Sequence, residues 1–436
     1  MSEDTRTGKR ASIHTLGCRL NQSESGILAE QLERAGYTIV PFGEPADLGV
    51  INTCTVTREA GAKSRQSIRS FIRKNPHAYT AAIGCYSQME YKTLSEIAGL
   101  DLIIGTQEKL RLLDYVAEGK NDGPVIVRDR IQRGDFTIET AGGGPVTKRT
   151  NLKIQDGCDF MCSFCIIPFA RGRSRSRELE DLVDEARQLA CRGAKEIVLT
   201  GVNLGCYQQQ GRDIVDVVER LNGIPGLARI RISSIEPTTI PEALFAFMDA
   251  PDHALVPYLH VPAQSGSNRM LSRMRRRHTR EEFVAFIERA QSAIRDVCIG
   301  SDLMVGAPGE AEEDFAETVR LVEETPIAYA HVFKYSEREG TAASRDPDKV
   351  APEVQNRRSA HLRRTVARKR RAFNASFAGR VLDVLFEEED DGFWFGYTGN
   401  YIRVAARSDQ CLTNVIRPVR LERARGDIVQ GTLSDE

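Results

Sequence analysis

The sequence predicts an α/β protein in three parts: an N-terminal parallel α/β domain, a central partial barrel of six βα units, and a small C-terminal β-barrel. Three observations predict it. Short apolar runs alternate with helix-period segments near the N-terminus, the same alternation resumes at Asn151, and the chain beyond residue 379 changes to strand-like runs punctuated by Gly392, Gly399 and Gly426. At roughly 150 residues per domain, 436 residues allow about three cores. A composition 41% hydrophobic and 28% charged excludes a disordered polar chain and a collagen-like one. No apolar run approaches the roughly 18 residues of a spanning helix, and MSEDTRTGKR lacks the apolar core of a secretory signal. A cytoplasmic address with no membrane partner is therefore expected.

In the first part, residues 1–133, strand-like runs fall at 12–16, 38–42, 48–52 and 80–83, with helices near 23–35 and 58–73. Cys18, Cys54 and Cys85 each follow such a run by one or two residues and precede a helix. Open α/β sheets bind ligands at the carboxyl ends of their strands, so these thiols can converge. Three buried structural cysteines are the plainer alternative; repetition of one position in three βα units weighs against it.

Residues 134–150, with Gly142, Gly143, Gly144 and Pro145, read as a linker. In the second part, residues 151–378, runs at 152–155, 196–200, 229–233, 258–261, 299–305 and 328–333 fit a partial barrel better than a full eight-stranded one. A basic helix near 355–377 closes this part. Its Leu362, Val366, Phe373 and Phe377 share one stripe, which is expected to pack on the barrel. The third part, residues 379–436, carries RVLDVLF, FWFGYTGNYIRVAA and DIVQGTL, a small β-barrel pattern.

Sixty basic against sixty-one acidic residues leave a net charge of −1, so no global field draws in a polyanion and any nucleic-acid site is local. The stretch from Arg357 to Arg380 contains nine cations and no Asp or Glu. In the expected compartment, ten cysteines suggest thiols, metal ligands or redox groups rather than structural disulfides.

The most specific motif is GCDFMCSFC, where Cys158, Cys162 and Cys165 form CxxxCxxC directly after the first barrel strand. Three thiolates from one loop suit three irons of a [4Fe-4S] cubane and leave the fourth open. Zinc would want a fourth ligand, yet the next Cys is Cys191 and no His lies between His77 and His253. The segment resembles the radical S-adenosylmethionine (SAM) superfamily, which implies that SAM chelates the open iron and that electron transfer releases a 5′-deoxyadenosyl radical. The same resemblance assigns SAM contacts to Gly201 and Asn203 in LTGVNLG and to Phe164 in the cysteine loop. SSIEP with Glu236, VPAQSGS with Gln264, DLMVGAPGE with Asp302, and HVFKYSEREGT follow in the order of the methylthiotransferase branch.

That branch implies a second [4Fe-4S] cluster on Cys18, Cys54 and Cys85, and a C-terminal RNA-binding TRAM domain. It also implies conversion of an unactivated C–H bond to C–S–CH3, a step that needs a radical because no side-chain base removes such a hydrogen. GCRLNQ around Cys18 resembles the group acting on N6-threonylcarbamoyladenosine at tRNA position 37. The implied partners are a tRNA anticodon stem-loop, a low-potential electron donor and a sulfur donor. Arg171, Arg173, Arg175 and Arg177 after the cluster loop, the basic helix, and Trp394, Tyr397 and Tyr401 offer phosphate and base contacts. A solvated basic loop and a barrel core are their plainer readings. Two further functional readings stay open: methylthiolation of a ribosomal-protein aspartate, and a non-catalytic RNA-binding module with structural metal sites.

Overall fold

A computed structural model describes residues 8–116, 120, 122–138, 146 and 148–434. The N-terminal sheet is wholly parallel, with strands β1 (Arg10–Thr15), β2 (Thr38–Val40), β3 (Leu48–Thr53), β4 (Tyr79–Gly84), β5 (Leu102–Ile104) and β6 (Val125–Val127) in the order β2-β1-β3-β4-β5-β6. The chain winds outward from β1 to β2 and then returns beside β1 as β3, so the winding reverses between β1 and β3. β5 and β6 were not expected from sequence. Each is three residues long, too short for a period to declare itself. Every residue of β3 and β4 is buried, because helices cover both faces.

The barrel strands are β7 (Thr150–Lys153), β10 (Glu196–Thr200), β11 (Arg229–Ile232), β12 (Tyr258–His260), β13 (Cys298–Val305) and β14 (Ile327–Lys334), with a two-stranded ribbon of β8 (Gln155–Asp156) and β9 (Arg175–Ser176) beside them. They form two parallel three-stranded sheets, β11-β10-β7 and β12-β13-β14. A parallel bridge from Ile230 to Leu255 joins the two, giving six strands in sequence order with an open side. Outward apolar residues such as Leu199, Ile232, Leu259 and Leu303 pack under the helices in one core.

Helix Pro352–Ala375 follows. Its stripe is divided: Leu362 and Val366 enter the barrel core, whereas Phe373 and Phe377 pack against the terminal barrel, so the helix clamps two units rather than lying on one. The terminal barrel is closed, in the order β15 (Val381–Asp390), β16 (Phe393–Thr398), β17 (Arg403–Arg407), β19 (Ile428–Leu433), β18 (Ile416–Arg425). β18 escaped the sequence reading because Arg417, Pro418, Arg420, Glu422 and Arg423 dilute its two deeply buried residues, Val419 and Leu421.

Gly142, Gly143, Gly144 and Pro145 of the expected linker lie outside the described residues. On its described portions, Phe136 bridges to Arg177, Ile138 is buried, and Arg149 forms a two-pronged pair with Glu387 at 2.8 and 3.0 Å while covering the Tyr397 ring.

Candidate functional site

Cys18, Cys54 and Cys85 stand at the carboxyl ends of β1, β3 and β4, two of them flanking the point where the winding reverses. Helices follow directly: Cys18 caps Arg19–Arg34 and Cys85 opens Cys85–Met89. Gly17 has φ +96°, and a Cβ there would stand 2.7 Å from the Cys54 sulfur. Only glycine allows that approach. The expected convergence is thus present: Cys54 lies within electrostatic reach of both Cys85 and Cys18.

Cys158, Cys162 and Cys165 occupy the loop after β7 and β8. Met161 takes φ +44°, bending the loop, and the Cys165 amide donates to the Cys162 carbonyl at 3.1 Å. The Phe160 amide donates to the Cys158 sulfur at 3.4 Å, and Arg276 Nη1 donates to that of Cys162 at 3.5 Å. Burial pushes the thiols of Cys54 and Cys158 up to about 11 and that of Cys165 up to about 12. These three stay protonated at neutral pH until a metal displaces the proton.

Both donor sets offer three soft thiol ligands, the chemistry that suits an iron–sulfur cluster. Among the described residues, the group whose three ligand atoms lie within 4.8 Å of one another is instead His260, Asp302 and His331. Asp302 Oδ1 meets His260 Nε2 at 3.1 Å and His331 Nδ1 at 3.2 Å. Burial opposes the Asp302 charge, but the two imidazoles outweigh it and hold the carboxyl well below the usual range. The ladder continues inward from His260 Nδ1 to the Tyr329 hydroxyl at 3.0 Å and on to that of Tyr258 at 2.6 Å.

A cavity of about 210 Å³ lies where the N-terminal domain meets the barrel. Phe164, Cys165, Gln264 and Asp302 line it from the barrel, and Val56 and Thr57, just after Cys54, from the N-terminal domain. Cys165 of the barrel triad therefore shares this chamber with the loop that follows Cys54. Gln264 has φ +69°, a strained setting that its backbone bonds to Asp302 and Met304 hold in place. Glu236, Gly201 and Asn203 do not line this cavity. Glu236 is held by Arg276, its carboxyl pushed up by burial and drawn back by that guanidinium. Gly201 packs on Gln155, whose Oε1 accepts from the Val202 and Asn203 amides, and Asn203 Oδ1 receives the Glu236 amide at 3.3 Å. These three form the neighbouring wall, beside Cys158 and Cys162.

Several side chains that bracket the thiols were not singled out individually in the sequence. Arg276, hidden in the charge run RMRRRHT, links Glu236 to Cys162. Cys206 accepts from Asn203 Nδ2 at 3.1 Å within electrostatic reach of Cys158. The HVFKYSEREGT segment docks on the other cysteine site: Ser336 Oγ accepts from the Arg58 amide at 2.9 Å, and Arg338 donates to Thr55 Oγ1 at 2.6 Å.

The expected phosphate grips are largely spent internally. Arg171 and Arg177 are buried, the first on Glu24 and Asp156, the second on Asp181 and Glu185. Arg175 sits 3.6 Å from Asp156, and Arg173 alone of the four is well exposed. On the basic helix, Arg358 is buried on Glu310, Arg368 pairs with Glu323, and Arg370 donates to the Tyr401 carbonyl. Trp394 belongs to the terminal-barrel core. Tyr401 packs against Tyr258 and Tyr329 of the central barrel, with ring centroids 4.8 and 5.9 Å away. Of these groups Arg171, Arg370 and Tyr401 join the units together, the two guanidiniums by satisfying a carboxylate or carbonyl across a seam.

A partial six-stranded barrel with CxxxCxxC after its first strand, joined to a doubly wound domain with a second thiol triad, defines a radical SAM protein. Residues 152–322 match the Radical SAM superfamily, and residues 10–105 match a family described as Uncharacterized protein family UPF0004. The chain is 36% identical over 431 residues to the threonylcarbamoyladenosine tRNA methylthiotransferase MtaB of Bacillus subtilis (strain 168), covering 95% of this chain and 94% of that protein. It is 33% identical to the tRNA-2-methylthio-N(6)-dimethylallyladenosine synthase of Wolbachia sp. subsp. Brugia malayi (strain TRS), covering 87% and 88%. Among solved structures, the radical S-adenosylmethionine methyltransferase TsrM from Kitasatospora setae shares the fold, with TM-score 0.56 at 15% identity over 74% of this chain and 72% of that one. The chain belongs to the radical SAM methylthiotransferase family.

Proposed function

We propose that this chain converts N6-threonylcarbamoyladenosine at position 37 of tRNA to its 2-methylthio derivative, with one [4Fe-4S] cluster on Cys158, Cys162 and Cys165 and another on Cys18, Cys54 and Cys85. The observation that carries this reading is the shared chamber, which brings Cys165 and the Cys54 loop to one space of about 210 Å³. When bound, the barrel cluster with SAM supplies a carbon-centred radical able to take hydrogen from an unactivated C–H bond. The chain's own residues position and enclose. Phe164 and Gln264 shape the floor, Arg276 holds Glu236 against the cysteine loop, and Ser336 and Arg338 fix the opposing loop.

Phe333, exposed at the chamber, offers a face on which an extruded base can stack. For the phosphates, the strongest support comes from β18, where Arg417, Arg420, Arg423 and Arg425 have no carboxylate partner among the described residues. The greater identity to the threonylcarbamoyladenosine enzyme favours that substrate over the dimethylallyl one. Mass analysis of tRNA nucleosides from cells lacking the gene tests the choice. Loss of the 2-methylthio form of threonylcarbamoyladenosine is expected. Its unchanged abundance, with loss of a methylthiolated dimethylallyladenosine or, in mass analysis of the ribosomal proteins of the same cells, of a methylthiolated aspartate, would assign the enzyme to the other substrate.

A further inference from the structure

The seam between the N-terminal domain and the barrel contains five buried charges. Glu24 on helix Arg19–Arg34 contacts Lys109 and accepts from Lys153 Nζ at 2.8 Å and Arg171 Nη2 at 3.0 Å. Asp156 meets Lys153 at 2.7 Å and Arg171 at 3.0 Å. None of the five side chains is more than 6% exposed. Three cations against two carboxylates leave one positive charge unbalanced, and Arg175, 3.6 Å from Asp156 at the rim, adds another. Buried charge without a counter-charge is costly, so an anion belongs close by.

The geometry leads to the Cys18, Cys54 and Cys85 site. Arg171 Nη2 donates to Asn21 Oδ1 at 2.6 Å. Asn21 Nδ2 in turn donates to the Leu16 carbonyl at 2.8 Å and the Thr53 carbonyl at 3.0 Å, next to the turns that carry Cys18 and Cys54. Helix Ile167–Arg171, which begins two residues after Cys165, packs on helix Cys85–Met89. Three thiolates around a doubly positive cubane core carry one net negative charge, of the sign that offsets this surplus.

We propose that Arg171 is a positioning residue that supplies the counter-charge of the cluster on Cys18, Cys54 and Cys85 and ties its loading to docking of the N-terminal domain on the barrel. The inference rests on the two-cluster reading above and extends it to a residue of the other domain. A cation beside the cluster favours the more negative, reduced form.

The test uses the full chain with Cys158, Cys162 and Cys165 replaced by alanine, so that the N-terminal cluster alone is read. Iron per chain and the reduction potential, followed by electron paramagnetic resonance during dithionite titration, are compared for three further changes. Arg171→Met is expected to lower the reduction equilibrium constant about tenfold, about 59 mV for one electron. Arg171→Lys is expected to recover most of that. Glu24→Gln, which adds positive charge, is expected to move the potential the opposite way. A purely packing role would damage the site without this reversal of sign. A loaded cluster whose potential does not respond to Arg171→Met and Glu24→Gln would overturn the inference and leave the two-cluster reading intact. Absence of any cluster in the Arg171-bearing parent would overturn both.

Discussion

Cys158→Ala is expected to reduce SAM cleavage to background, whereas Cys54→Ala is expected to retain cleavage and lose methylthio transfer. The two thiols sit on different domains: Cys158 belongs to the loop after β8, Cys54 to the loop after β3. In the proposed assignment Cys158 is one of three ligands, so its loss would leave the barrel cluster with two and remove the site where SAM would be activated. Cys54 belongs to the N-terminal domain, whose loop reaches the chamber only through Val56 and Thr57. Release of 5′-deoxyadenosine under reducing conditions, measured beside modified nucleoside from the same reaction, separates the two duties. Equal cleavage by wild type and Cys158→Ala would overturn the assignment, as would loss of cleavage in Cys54→Ala with the barrel cluster still loaded.

The second large effect is structural. Arg231→Met is expected to destabilise the chain by about 3–5 kcal/mol, because it strands a buried carboxylate. Arg231 meets Glu196 at 2.6 Å inside the barrel, whereas Arg229 stands 3.8 Å away and Arg149 acts on the carboxylate only through its charge. The same guanidinium donates to the carbonyls of Gly399 at 2.9 Å and Thr398 at 3.4 Å, so its removal also loosens the terminal barrel from the central one. Trp394, the chain's single tryptophan, is buried in that terminal barrel and reports the change by fluorescence during urea unfolding. Adding Glu196→Leu to Arg231→Met is expected to restore much of the loss, since an apolar pair leaves no stranded charge. A midpoint unchanged by Arg231→Met would show that the pair contributes nothing to holding the units together.

The placement of the cysteines was legible in sequence. CxxxCxxC lies within one loop, a local spacing, and Cys18, Cys54 and Cys85 repeat one position at three strand ends, which a topology rule reaches. The six barrel strands were legible for the same reason, each being an apolar run bounded by turns. The seam was not. Arg171 finds Glu24 147 positions away, and nothing in FARGRSRSR distinguishes a buried latch from a solvated phosphate grip. The basic helix misled likewise: its charge run is visible, but the carboxylates Glu310 and Glu323 that absorb Arg358 and Arg368 lie on other elements. Tyr401 looks like a stacking face in sequence, yet the fold seats it against Tyr258 and Tyr329 in the central barrel. Cation and aromatic patterns state what a side chain can do, whereas its partner is decided by packing.

Anaerobic Mössbauer spectroscopy of fully reconstituted protein, with iron and acid-labile sulfide counted on the same sample, addresses the account most directly. Two [4Fe-4S] clusters, about eight irons per chain, are expected, falling to about four when Cys18, Cys54 and Cys85 are replaced by alanine. One cubane in the wild type, or a colourless zinc protein, would contradict it.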